Sequence, residues 1–210
     1  MPRLIVIFLS VVFCCSTAFA DNYWLDRLDA TIHERYQVQK QKERKLSVLL
    51  KTVNALNEGR AKLHITDSLY KEYVTFRYDS AMAWVEREKN LAERLGDDYY
   101  RQLAIIHQAY LCALGGYYAE GEHNLQMLDT VKLNHQLRYE YHVARFWLYM
   151  FCDQYSSNKS LKPAYRQKMK ESLMAALNLA DKQSPEYLYL EGQMYAIVRE
   201  DQKTAFRVRS

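Results

Sequence analysis

The stretch Ala-Tyr-Leu-Cys-Ala-Leu-Gly-Gly-Tyr-Tyr-Ala-Glu-Gly at residues 109–121 predicts the end of one helix, a tight turn and the start of a second helix. Gly115 and Gly116 stand where a left-handed helix terminus or a close helix crossing favours a residue without a β-carbon. Leu125 and Leu128 continue the apolar spacing of the second helix. The stretch therefore indicates a helical hairpin.

Similar pairs of helical segments surround this hairpin, and short polar joints separate them. The predicted pairs are Thr66–Phe76 with Ser80–Leu95, Tyr99–Leu114 with Tyr118–Thr130, and Gln136–Tyr155 with Lys162–Ala180, followed by Pro185–Val198 as the start of a fourth. Helix caps are expected at Thr66, Asp79 and Ser184, whose side chains can accept hydrogen bonds from the first turn. With only 6 Gly and 3 Pro in 210 residues, the chain lacks the turn residues that a sandwich of short strands needs.

Residues 21–58 precede the pairs and show the spacing of a long N-terminal helix or of a helix pair. A polar stretch, residues 37–45, interrupts the apolar positions and carries several Lys and Arg residues. We interpret it as a solvated stretch of one helix or a break between two helices. A basic docking site for an anionic surface is the alternative.

Small residues recur at a fixed distance along the chain. Ala109 and Ala144 each stand three residues before a Cys or Trp, and they are 35 residues apart. Tetratricopeptide (TPR) units have about 34 residues, with small residues where their two helices cross. The turn Tyr78-Asp-Ser-Ala81 resembles the hairpin at 109–121 one unit earlier. The chain thus resembles the TPR superfamily over residues 60–210, which implies an all-α fold: helix-turn-helix repeats forming a right-handed α-solenoid after a long N-terminal helix.

A narrower resemblance rests on Phe-Arg-Tyr-Asp-Ser-Ala at 76–81, Leu-Gly-Asp at 95–97 and Ser-Pro-Glu-Tyr at 184–187. These motifs, with the N-terminal features, are similar to the exported sensor region of membrane-bound, TPR-containing transcriptional regulators of Gram-negative bacteria. The resemblance implies a sensor that continues into a transmembrane and cytoplasmic region. Because a terminal repeat normally needs a polar cap, we expect the sequence to be truncated within a fourth repeat, near Ala205–Arg207.

Residues 1–20 have the pattern of a secretory signal peptide. Arg3 precedes an apolar run, and Ala18-Phe19-Ala20 has the small-x-small pattern of a cleavage site. We therefore expect a periplasmic protein that begins at Asp21. We expect attachment to a membrane only through a C-terminal segment that this sequence lacks. A lipid anchor on Cys14 or Cys15 is the alternative. A net charge of +4 is too small to indicate a nucleic-acid partner.

No constellation of catalytic residues is recognisable, so we expect no enzyme, no cofactor and no metal site. Four histidines make a zinc site conceivable, but their spacings match no standard pattern, and we interpret them as surface or core-edge residues: His107, His123, His135 and His142. The carboxylates of Glu86, Glu88 and Glu93 alternate with basic residues, which is typical of a solvated helix face. Cys112 and Cys152 fit small buried hydrophobes, and a disulfide between them is the alternative.

The binding site is expected on the first helices of the repeats, because in TPR arrays these helices line a concave groove. Aligning Ala109, Ala144 and Gly192 predicts ligand-binding residues of the types that dominate interfaces: Tyr70, Tyr73, Tyr110, Arg138, Tyr141, Arg145, Tyr149 and Tyr189. This register assigns Trp147 to the core. The alternative is that these tyrosines complete the packing between repeats. The sequence thus predicts a periplasmic module that binds a protein or peptide; a self-associating structural scaffold without a specific ligand is the second hypothesis.

Overall fold

A computed structural model describes the backbone of residues 2–209 and the side chains of residues 23–199. The predictions for residues 1–20 and for Ala205–Arg207 lie outside the described side chains. Within the described backbone the helices are α1 (Pro2–Ala55), α2 (Arg60–Tyr73), α3 (Tyr78–Leu95), α4 (Asp98–Gly115), α5 (Tyr118–Gln126), α6 (His135–Tyr155), α7 (Lys162–Leu179) and α8 (Pro185–Arg209). No strand occurs in that range.

Local hydrogen bonds explain where several helices begin and end. The side chains of Asp97 and Asn134 cap α4 and α6 by accepting from the third amide that follows them, at 3.2 Å and 2.9 Å. Ser184 caps α8 in the same way, at 3.1 Å, as predicted. Gly96 and Gly116 end α3 and α4 with φ of 63° and 82°, a left-handed conformation that favours glycine.

Two of the predicted caps were wrong. Thr66 lies inside α2, which begins six residues earlier, and its hydroxyl donates to the carbonyl oxygen of Lys62 at 2.8 Å. Asp79 lies within the first turn of α3 rather than before it, since Arg77 occupies the cap position. Both segments therefore start earlier than the cap residues indicated.

Residues 52–210 form one compact unit in which consecutive helices pack in pairs: α2 on α3, α4 on α5, and α6 on α7, with α4 also against α6. Small residues lie where these helices cross. A β-carbon on Gly121 would lie 3.1 Å from the carbonyl oxygen of Ala109 and 3.1 Å from Leu148. Ala109 and Ala144 are buried in the same core. The predicted all-α solenoid of helix-turn-helix repeats is confirmed.

A separate unit ends at Lys51 and contains helix α1 except for its last four residues. The helix is continuous through the polar stretch 37–45. The large apolar side chains between residues 23 and 36 of this helix are exposed: Tyr23, Trp24, Leu25, Leu28, Ile32 and Tyr36. The predicted domain boundaries at residues 20 and 58 stay predictions.

Cys112 and Cys152 are both buried and free, which agrees with their reading as small hydrophobes. Burial raises the pKa of both thiols, that of Cys152 to about 11. Neither side chain is therefore a reactive thiolate at neutral pH. Among the described residues no helix has the length and apolar character needed to cross a membrane.

Candidate functional site

Three first helices of the repeats, α2, α4 and α6, together line a cavity of about 220 Å³. Its walls are mostly apolar and aromatic, with one basic and one acidic side chain: Tyr70, Lys71, Val74, Ile106, His107, Tyr110, Glu140, Val143, Ala144 and Trp147. On α6 the lining positions follow the spacing of three and four residues, so they form one stripe of that helix.

A second cavity, of about 320 Å³, lies between α6 and α8 and is lined by Tyr139, Val143, Trp147, Pro185, Glu186, Tyr189 and Leu190. Val143 and Trp147 border both cavities, so the two are adjacent. Trp147 stacks on Tyr189 with ring centroids 6.2 Å apart and planes 23° apart. We use the name aromatic groove for the surface formed by Tyr70, Tyr110, Trp147 and Tyr189.

Charged groups of both signs lie along the aromatic groove. Lys71 donates to the carboxylate of Asp67 at 2.9 Å, and its own side chain is about half exposed (55%). Glu140 accepts from Gln136 at 3.0 Å, and burial raises the pKa of its carboxyl group. A ligand in this groove would therefore contact aromatic rings, with an ammonium group and a carboxyl group next to them.

Three of the predicted ligand-binding tyrosines, Tyr70, Tyr110 and Tyr189, line these cavities. Their hydroxyl-bearing rings come from three different first helices. Tyr73 does not line either cavity. It is the last residue of α2, is buried, and stacks on Phe76 with ring centroids 5.6 Å apart.

The predicted register of α6 was wrong. Arg145 donates to the hydroxyl of Ser172 on α7 at 2.8 Å, and Tyr149, only 3% exposed, donates to Glu122 on α5 at 2.7 Å. Lys168 on α7 completes this network, 3.0 Å from Glu122 and 3.2 Å from the Tyr149 hydroxyl. These contacts direct both predicted groove residues towards the second helices of the repeats.

The other two predicted residues on α6 also turn away from the cavities. Arg138 donates to the carbonyl oxygen of Leu133 at 3.0 Å, and Tyr141 packs against the core between α4 and α6. Trp147, which was assigned to the core, packs against the buried cluster of α6, α7 and α8 and also lines both cavities. A shift of one residue rotates a side chain by about 100° around a helix, so a small error of alignment exchanges the two faces.

A second polar site lies beneath the aromatic groove, where α2, α3 and α4 contribute Asp67, Glu88 and His107. The His107 Nδ1 atom is 3.6 Å from Glu88 Oε2 and 3.9 Å from Asp67 Oδ1. The ring of His107 stacks on Tyr70 with centroids 4.0 Å apart. All three side chains are buried, Glu88 completely.

The environment of this cluster suppresses charge. Burial, together with the charge of Asp67, raises the pKa of Glu88 to about 9. Burial and the nearby ammonium of Lys71 hold the pKa of His107 well below its usual value. Both carboxylate oxygens of Glu88, Asp67 Oδ1 and His107 Nδ1 have no hydrogen-bond partner.

Sequence reasoning missed this cluster because it read Glu88 as part of a solvated face and His107 as a surface or core-edge residue. Both interpretations are corrected by the burial of the side chains. The signal was available on α3: Glu88 stands three residues after Val85 and three before Leu91, which places it on the apolar stripe of the helix.

Paired helices, small residues at their crossings and a groove across the first helices define an all-α repeat protein of the protein-interaction class. The chain belongs to the family of SusR N-terminal TPR domains, whose family model matches residues 32–209. No match was found among curated proteins or among solved structures. TPR repeats are typically non-catalytic and generally mediate contacts between proteins.

Proposed function

We propose that this chain is a periplasmic module that binds a peptide or a segment of a protein in the aromatic groove, as the sensor part of a regulatory protein. The observation that carries the proposal is the row of four aromatic side chains on four successive first helices, bordering two adjacent cavities. Trp and Tyr are among the residues that supply most binding energy at interfaces.

The chemistry of the groove favours a particular kind of segment. Trp147 and Tyr189 stack on each other and leave an apolar wall, and Tyr189 is still 52% exposed. A bound segment would bury these rings with its own apolar or aromatic side chains. Lys71 and Glu186 border the two cavities and offer one charge of each sign to the backbone or side chains of the segment.

The periplasmic location is supported by the signal-peptide pattern of residues 1–20 and by the match to the family of SusR N-terminal TPR domains, which fits a cell-envelope regulator. When the protein is expressed in cells, amino-terminal sequencing of the exported chain is expected to give a sequence that begins at Asp21. A chain that keeps Met1 and stays in the cytoplasm would contradict export. That result would not bear on the proposal that the aromatic groove binds a peptide.

Binding in the groove is tested with a peptide selected from a random displayed library against the wild-type chain. Tyr189→Ala is expected to lower the affinity for that peptide by about 30-fold, which corresponds to the ~2 kcal/mol lost when an interface anchor is removed. The matched control is Tyr195→Ala on the same helix, because Tyr195 is 70% exposed and lies outside both cavities. Equal affinities for the two variants would contradict a site in the groove.

A further inference from the structure

Asp67, Glu88 and His107 converge from three different helices on one point in the interior. Each offers one ligand atom, and the three atoms lie within 4.8 Å of one another. Among the side chains that the structure describes, no other group of three or more His, Cys, Asp or Glu residues has this geometry. Asp67 and Glu88 do not line the cavity between α2, α4 and α6, whereas His107 borders it.

We propose that Asp67, Glu88 and His107 form a structural binding site for a divalent transition-metal cation of the zinc type, which joins α2, α3 and α4. The site goes beyond peptide binding and does not depend on it.

The unpartnered atoms are the first argument for the site. Glu88 is 0% exposed, and His107 and Asp67 are each 5% exposed, so all three side chains are largely removed from solvent. Yet both oxygens of Glu88, one oxygen of Asp67 and Nδ1 of His107 accept no hydrogen bond. Buried polar atoms are almost always paired, and buried carboxylates are usually paired with a cation. A bound cation would pair with all of these atoms.

Distances are the second argument. Ligand atoms about 2.1 Å from a tetrahedral zinc ion lie about 3.4 Å from one another. The Nδ1 atom of His107 is 3.6 Å from Glu88 Oε2 and 3.9 Å from Asp67 Oδ1. The oxygens of Asp67 and Glu88 lie within 4.8 Å of each other. Side-chain rotations that close these gaps bring the three atoms into the first coordination shell of one ion.

The charges and the donor types complete the argument. Two carboxylates and a neutral imidazole balance one divalent cation, and His, Asp and Glu are all common zinc ligands. Lys71 holds the other oxygen of Asp67 at 2.9 Å, which is the kind of outer contact that orients a ligating carboxylate. Lys71 and His107 also border the groove cavity, which gives the ion a short route to solvent.

The test is a titration of the full chain with Zn²⁺ after removal of metal by a chelator, followed by calorimetry and by metal analysis of the washed protein. We expect one Zn²⁺ per chain and a higher melting temperature. Glu88→Gln, which keeps the shape but removes the charge, is expected to lower the affinity by more than the ~10–100-fold that loss of an outer contact costs. His123→Gln removes an exposed histidine on α5 and serves as the matched control with unchanged affinity.

A second measurement covers the case in which Glu88→Gln fails to fold. The wild-type chain is loaded with Co²⁺, whose visible absorption bands are intense in a four-coordinate site and weak in a six-coordinate surface site. Intense bands that Zn²⁺ abolishes at one equivalent support the proposal. It is overturned if the folded wild-type chain binds no stoichiometric Zn²⁺, if Glu88→Gln binds as tightly as His123→Gln, or if only weak Co²⁺ bands appear.

Discussion

The two faces of helix α6 carry similar side chains and serve different purposes. On one face, Val143 and Trp147 border the cavities and contact α8 through Tyr189. On the other, Arg145 and Tyr149 bind Ser172, Glu122 and Lys168 of the neighbouring second helices. Each face combines aromatic and polar groups, so residue type alone does not distinguish them.

The difference lies in how firmly the neighbouring helices hold the aromatic side chain on each face. The hydroxyl of Tyr149 is bonded to both Glu122 and Lys168, and its ring lies beneath Arg145 and Lys168, at 5.1 Å and 4.8 Å. A side chain held in this way stabilises the solenoid and has little left to offer a ligand. Trp147 is only partly buried, and its described contacts are with apolar side chains and aromatic rings. Its free surface is the part of α6 that a ligand can cover.

The largest expected effect on stability follows from removing the buried ring. Tyr149→Ala deletes a nearly fully buried aromatic side chain and leaves a cavity between α6, α5 and α7, so it is expected to lower the free energy of unfolding by about 3–5 kcal/mol. Urea denaturation measures this change. Tyr155→Ala, at a position 64% exposed near the end of the same helix, should cost no more than ~0.5 kcal/mol. Similar losses in the two variants would mean that Tyr149 does not lie in the core.

A smaller effect separates the hydroxyl group from the ring. Tyr149→Phe keeps the packing and removes only the hydrogen bonds to Glu122 and Lys168, which still bind each other at 3.0 Å. We expect a loss of about 1 kcal/mol in the same urea experiment. A loss as large as that of Tyr149→Ala would show that the network, and not the ring, holds this face of α6.

The smallest effect is a dependence on pH. Partial burial raises the pKa of Glu122, but hydrogen bonds from Tyr149 and Lys168 outweigh it, so the pKa lies below its usual value of 4.5. The hydrogen bond to Glu122 raises the pKa of Lys168 above 10.5. The carboxylate of Glu122 therefore stabilises the fold above pH 4.5, and this contribution is lost as the pH falls through the lowered pKa. The ammonium group of Lys168 stabilises the fold below pH 10.5, and its contribution is lost as the pH rises through the raised pKa.

Melting curves of wild type and Glu122→Gln across this range measure the contribution. Because the side chains of Glu122 and Lys168 are 35% and 41% exposed, solvent screens the pair and the effect is modest. The two proteins should differ most near neutral pH and converge in acid. A constant difference at every pH would show that Glu122 contributes through packing alone.

The repeat architecture could be predicted because it depends on local patterns. The glycines at 115 and 116, the cap at Ser184 and the small residues Ala109 and Ala144 each specify a turn or a crossing by their own geometry. The rotation of α6 could not be predicted in the same way. This helix packs against α4, α5 and α7, so apolar and aromatic residues occur on most of its circumference and no single stripe marks the groove.

The buried cluster shows a different limit. Asp67, Glu88 and His107 are 21 and 19 residues apart in sequence and meet only when three helices have packed. A carboxylate on an apolar stripe was visible in the sequence at Glu88, but its partners were not. Contacts between side chains of different helices depend on tertiary packing. The periodicity of residues within one helix does not predict them.

The most direct test of the account compares Trp147→Ala with Arg145→Ala for affinity towards a peptide selected on the wild-type chain. Trp147 borders both cavities and Arg145 is bonded to α7, so Trp147→Ala is expected to weaken the peptide by about 30-fold and Arg145→Ala by less than about twofold. Circular dichroism checks that both variants stay helical. A large loss with Arg145→Ala and none with Trp147→Ala would place the binding face on the other side of α6 and contradict the account.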